Sequence, residues 1–85
     1  MPEISRFLGI IIAIFYTDHA PPHFHARYGE FKIKVGIKDG VVEGKFPKRA
    51  LKHVLEWYEL HKEELMVDWD LASQGKEPNK IAPLE

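Results

Sequence analysis

Three hydrophobic patterns follow one another along the chain. From Leu8 to Tyr16 nearly every position is apolar, and many are β-branched or aromatic. That predicts a strand over 8–16 covered on both sides, with Leu8, Ile10, Ile12 and Ile14 on one face and Ile11, Ala13 and Phe15 on the other. Thr17 to Pro22 reads as a loop, in which Pro21 and Pro22 hold the residues before them extended. From His23 onward, apolar and polar positions alternate. In a strand over 23–28, Phe24, Ala26 and Tyr28 share one face, and His23, His25 and Arg27 share the other. In a strand over 31–38, Phe31, Ile33, Val35 and Ile37 oppose Lys32, Lys34, Gly36 and Lys38, and a last strand runs over 41–46. Pro47 suits a first helical turn, and after it Leu51, Val54, Leu55, Tyr58, Leu65, Trp69 and Ala72 recur at helical spacing. The seam is interrupted at His61-Lys62. No Gly or Pro falls there, so one long helix over 48–74 is expected, bent if anywhere at that point and stopped by Gly75 and Pro78. Residues 76–85 form an expected extended tail, anchored by Ile81, Pro83 and Leu84.

Two turn signals set the expected registers. Gly29-Glu30 reads as a type II′ hairpin turn and pairs Tyr28 with Phe31, Ala26 with Ile33 and Phe24 with Val35. Asp39-Gly40 reads as a type I′ turn and pairs Ile37 with Val42, Val35 with Gly44 and Ile33 with Phe46. Apolar residues meet in both hairpins, and a slip of one residue would turn each set over. The expected fold is α+β: one domain over 1–85, a four-stranded antiparallel meander followed by one long C-terminal helix packed on one sheet face.

The same registers gather a polar face. His23 falls opposite Gly36 and Gly36 opposite Glu43; His25 falls opposite Lys34 and Lys34 opposite Lys45; Arg27 falls opposite Lys32. Gly36 leaves an expected dip between His23 and Glu43, and Lys34 beside Lys45 is unfavourable unless an anion, a carboxylate or water separates them. Lysines alone belong on the wet face of any antiparallel sheet. Two histidines and an arginine among them point to chemistry, because imidazole titrates near neutral pH. One reading is RNA or another phosphodiester held by Arg27, Lys32, Lys34 and Lys45, with His23 or His25 as acid or base in a metal-independent ribonuclease step. The candidate catalytic residues are then His23, His25 and Arg27, and the candidate ligand-binding residues His19, Lys32, Lys34, Glu43 and Lys45. A second reading is a metal site in which Asp18 or His19 curls back over the prolines to join His23 and His25, opposed by the nearby Arg27 and Lys34 cations. A third is a non-catalytic interaction module, dimeric through the apolar face of the first strand. His53 and His61 read as boundary positions of the helix, and Trp57 and Trp69 as core or interface aromatics.

Charge sharpens this picture. The net charge of −1 argues against a general polyanion binder. Yet residues 1–49 hold eight Lys/Arg and five Asp/Glu, whereas residues 50–85 hold four and eight, so sheet and helix present surfaces of opposite sign. There is no cysteine, which excludes disulfides and thiolate zinc sites and suits a cytoplasmic protein. The apolar run of about ten residues is too short to span a bilayer, which takes roughly 20. No cofactor is expected.

Five stretches carry a likeness: Pro2-Glu3-Ile4-Ser5-Arg6-Phe7, Asp18 through Gly29 with its His-Ala-Pro-Pro-His-Phe-His core, Pro47-Lys48-Arg49-Ala50-Leu51, Glu56-Trp57-Tyr58-Glu59-Leu60-His61, and Lys80-Ile81-Ala82-Pro83-Leu84. Together they resemble the bacterial domain-of-unknown-function family 4160. The resemblance implies a small bacterial protein without an assigned activity, usually encoded alone or beside another small domain of unknown function. That arrangement is similar to toxin–antitoxin pairs and implies a protein partner.

Overall fold

The computed structural model describes residues 2–85. Its five strands are β1 (Glu3–Phe7), β2 (Ile10–Ala13), β3 (His23–Tyr28), β4 (Phe31–Gly36) and β5 (Val42–Lys45), followed by helices α1 (Lys48–Leu60) and α2 (Lys62–Ser73). All five strands pair with their sequence neighbours, antiparallel, in one sheet of order β1-β2-β3-β4-β5. The α+β architecture is as expected, but with five strands in place of four and two helices in place of one. No described helix is long and apolar enough to cross a membrane.

The fifth strand arises because the chain reverses at Leu8-Gly9, where both residues take positive φ (51° and 79°). That is the geometry of a type I′ hairpin turn. Continuous hydrophobicity conceals this turn, since Leu8 is itself apolar yet mostly exposed. The helical break falls at His61, as the interrupted seam suggests. His61 leaves helical geometry (φ −129°, ψ 24°), and Glu63 and Glu64 begin α2 as acidic first-turn residues. Negative charge is favourable at that end of a helix, and the His61 imidazole also meets Glu64 Oε1 at 2.6 Å.

One sheet face and both helices enclose the core. Ile10, Ile12, Ile14, Phe24, Ala26, Ile33 and Val35 from the sheet meet Val54, Trp57, Tyr58, Leu65, Trp69 and Ala72 from the helices. Trp57 is fully buried, packs on Phe7 and Phe24 with ring centres 5.5 and 5.8 Å away, and donates its indole N–H to the Ala82 carbonyl at 2.8 Å. The tail is thus fastened from the helix side. It is fastened to β1 as well, by Ile81 N–H donating to the Ile4 carbonyl at 2.8 Å. A third tie is unusual: Asp68, only 1% exposed, accepts the Asn79 N–H at 2.9 Å through Oδ1, while Oδ2 has no partner. Burial pushes this carboxyl up to about 6, working against the Asn79 hydrogen bond and assisted by nearby Glu64.

The β3–β4 register is the expected one. The β4–β5 register differs by two residues. Lys34 faces Glu43, Lys32 faces Lys45, Ile33 faces Gly44 and Val35 faces Val42. The turn is longer than the dipeptide signal implies, closed by Gly36 N–H to the Val41 carbonyl and Gly40 N–H to the Gly36 carbonyl, both at 2.9 Å. Ile37 is drawn out of the ladder into the core, its N–H on the Pro22 carbonyl and its own carbonyl accepting the Tyr58 hydroxyl at 2.7 Å. A two-residue slide keeps every face assignment and changes every cross-strand partner.

Candidate functional site

The loop between β2 and β3 shapes the site. Thr17, at φ 49°, donates its N–H to the Ala72 carbonyl at the end of α2, which pins the loop to the helical layer. Asp18 then turns back toward the start of β3, its Oδ1 accepting the His19 N–H at 2.8 Å. Its other oxygen, Oδ2, meets His23 Nε2 at 2.8 Å and His25 Nε2 at 3.2 Å. One donor atom from each of the three side chains falls within 4.8 Å of the others. Alternation along β3 explains why both imidazoles arrive together, since residues two apart share a face.

The two histidines live in different surroundings. His23 is buried, 6% exposed, beneath Trp69 of α2, with ring centres 5.1 Å apart. Its Nδ1 bonds the Pro21 carbonyl at 2.8 Å, so both ring nitrogens are engaged. His25 is half-buried and stacked on Phe15 at 4.0 Å between ring centres. Burial pushes His25 below the usual imidazole range, and the His23 and Lys34 charges add to this against the opposing pull of Asp18. Burial pushes the Asp18 carboxyl up, but the His19, His25 and His23 hydrogen bonds outweigh it and hold the group below its ordinary value.

Beside His25 lies a hollow of about 110 Å³ walled by Ile11, Phe15, Arg27 and Lys32. Arg27 lies opposite Lys32 and Lys32 opposite Lys45, so three exposed cations form one row across three strands. None of the three has an ion-pair partner among the described residues; the sheet's other cations on this side do, Arg6 with Glu3 at 2.7 Å and Lys34 with Glu43 at 3.4 Å.

The expected site therefore divides. His25, Arg27 and Lys32 share the hollow's wall, with Lys45 continuing the row. His23 adjoins His25 but is roofed by Trp69, so it does not stand free beside Arg27 on an open face. Lys34 and Glu43 neutralise one another, which corrects the expected Lys34–Lys45 contact. The dip expected at Gly36 is filled by the Asp39 carboxylate, which turns in to accept the Val41 N–H at 3.0 Å. His19 is exposed, and its ring lies outside the triangle. Asp18, weighed from sequence only as a metal ligand, is the hub of the cluster, and Trp69 is its roof. The Asp-x4-His-x-His spacing carried the first signal; nothing local in the sequence carried the second.

A family model described as a domain of unknown function (DUF4160) matches residues 9–70. No curated protein and no solved structure matches the chain. The matched span takes in the triangle, the hollow, the cation row and Trp69, and covers well over half of the sequence: the chain belongs to the DUF4160 family.

Proposed function

We propose that the outer sheet face binds RNA through its phosphates, in a protein of toxin–antitoxin-like setting such as the resemblance implies. The observation that carries this reading is the row Arg27–Lys32–Lys45, three cations at register positions, none in an ion pair with a described carboxylate. Like charges directly opposite one another are unfavourable in a ladder, so the arrangement gains from an anion laid across it. Arg27 offers a planar fork for two phosphate oxygens, and the apolar floor of Ile11 and Phe15 suits the rim of a base. His25 is the one imidazole of the triangle that lines the hollow, so any bond-breaking step at a phosphate seated on Arg27 and Lys32 passes beside it. His23, under Trp69, is in this reading a positioning residue.

The test is fluorescence anisotropy of a short single-stranded RNA against salt concentration. Three phosphate contacts give a slope of log affinity on log salt of roughly −2 for a single strand, and Arg27→Ala or Lys32→Ala should each flatten it by about 0.7. Absence of binding at low salt, or slopes unchanged in both variants, overturns the reading.

A further inference from the structure

The geometry at His23 presents a ready ligand atom. Nδ1 faces the Pro21 carbonyl at 2.8 Å, and a carbonyl has no proton to give, so an N–H belongs there. That leaves Nε2, 2.8 Å from Asp18 Oδ2, as the atom turned to the cluster, and His25 Nε2 approaches the same oxygen at 3.2 Å. Three atoms able to ligate an ion thus converge, on a side of the sheet where His23 is almost wholly shielded from water. Protons on the two Nε2 atoms make these contacts hydrogen bonds to Asp18; a single metal ion would take all three atoms in their place.

We propose that Asp18, His23 and His25 form a binding site for one divalent first-row transition ion, of the zinc or iron class. Two imidazoles and one carboxylate favour such ions over magnesium or calcium, which prefer all-oxygen sites. The Pro21 carbonyl does what an outer-shell partner does at histidine metal sites, fixing the tautomer so that Nε2 is the ligand atom. The Asp18 carboxylate is held in the same way by the His19 N–H. Ligand bonds of 2.0–2.1 Å place tetrahedral donors about 3.3 Å apart, so the separations of 2.8 and 3.2 Å from Asp18 Oδ2 open slightly, and the two Nε2 atoms, within 4.8 Å of one another, adjust to the same spacing. Lys34, opposite His25, works against a cation there, but its ammonium is drawn to Glu43 at 3.4 Å, which offsets part of that charge. Three protein ligands leave coordination positions open, and His25, which lines the hollow, puts the ion at the edge of the surface bearing Arg27 and Lys32. The inference goes beyond the RNA reading and stands without it: the ion binds whether or not the cation row does.

Zn²⁺ itself is the probe, added to untagged protein in competition with a chromophoric chelator. The expected result is one tight site per chain, weakened at least tenfold in Asp18→Asn and in His25→Asn. His19→Ala and the Arg27→Ala/Lys32→Ala double variant should bind Zn²⁺ as the parent does, and the double variant should lose RNA. His23→Asn also gives up the Pro21 anchor, so the first two variants, checked for native circular dichroism, carry the decision. Nitrogen-15 histidine spectra should show Nε2 of His23 and His25 shifting on loading while Nδ1 keeps its proton. Substoichiometric binding by the parent protein, or parental affinity in both Asp18→Asn and His25→Asn, overturns the proposal.

Discussion

Replacing Asp68 by Asn should remove a pH-dependent weakness at the joint between α2 and the tail. The folded value of about 6 lies above the ordinary carboxyl value of 3.8. The stabilising effect of the neutral form is therefore complete below the lower value, drains away between the two, and leaves a constant penalty for the buried charge above the upper one. Between pH 4.5 and pH 7 the wild type should lose ~2 kcal/mol through this one group, an upper bound because the surroundings relax around a buried charge. An asparagine can still accept the Asn79 N–H through its amide oxygen, but it has no proton to lose. Urea denaturation of both proteins at both pH values gives the answer as a difference of differences. Every other carboxylate, and any pH-independent effect of the substitution, cancels in it. The variant should show none of this loss, so relative to wild type it should gain ~2 kcal/mol between pH 4.5 and pH 7, and the gap between the two thermal midpoints should widen by several degrees over the same interval. A double difference below ~0.5 kcal/mol would show that Asp68 remains ionised at little cost and that the reasoning about its burial is wrong.

Three further substitutions probe the ladder and the face. Gly44→Ala places a Cβ 2.6 Å from the Lys32 carbonyl oxygen at a residue with φ 111°, and should destabilise the domain by ~2 kcal/mol or more in denaturant titrations. Tyr58→Phe leaves the buried Ile37 carbonyl without its 2.7 Å partner; ~1–2 kcal/mol of lost stability is expected, with faster hydrogen exchange in the β4–β5 turn. Glu43→Gln frees Lys34 on the outer face and should tighten RNA binding while steepening its salt slope by about 0.7; a slope that stays the same would place Lys34 outside the RNA path.

Much of this fold was legible because hydrophobic periodicity reports faces. Phe24, Ala26, Ile33 and Val35 are buried as their alternation requires, and Leu65, Trp69 and Ala72 as their helical spacing requires. What periodicity cannot report is a reversal inside an apolar run. Leu8 and Gly9 turn the chain without any polar punctuation, so a single long strand and a hairpin of two short ones look alike in sequence. Nor can it report contacts between distant segments. Trp69 reads as a core aromatic, and so it is, yet its position over His23 follows from how α2 is tethered to the loop through the Ala72 carbonyl and Thr17 N–H. The convergence of Asp18 on the histidines depends on the same tether.

The displaced β4–β5 register shows where the missing information lay. Side chains in a strand repeat every two residues, so a slide of two is invisible to any argument from apolar pattern. Charge is not blind to it. The expected register set Lys34 against Lys45, an arrangement that is unfavourable on its face, whereas the observed one sets Lys34 against Glu43 and moves the uncompensated contact to Lys32 and Lys45. The slide therefore does not remove repulsion from the sheet; it concentrates it beside Arg27, at the mouth of the hollow, and clears it from the neighbourhood of Asp18 and the histidines. One ladder step thus separates the unpaired cation row from the Asp18–His23–His25 cluster. On the two proposed readings, that separation is what lets an anion and a cation bind on adjacent rows of a sheet only five strands wide.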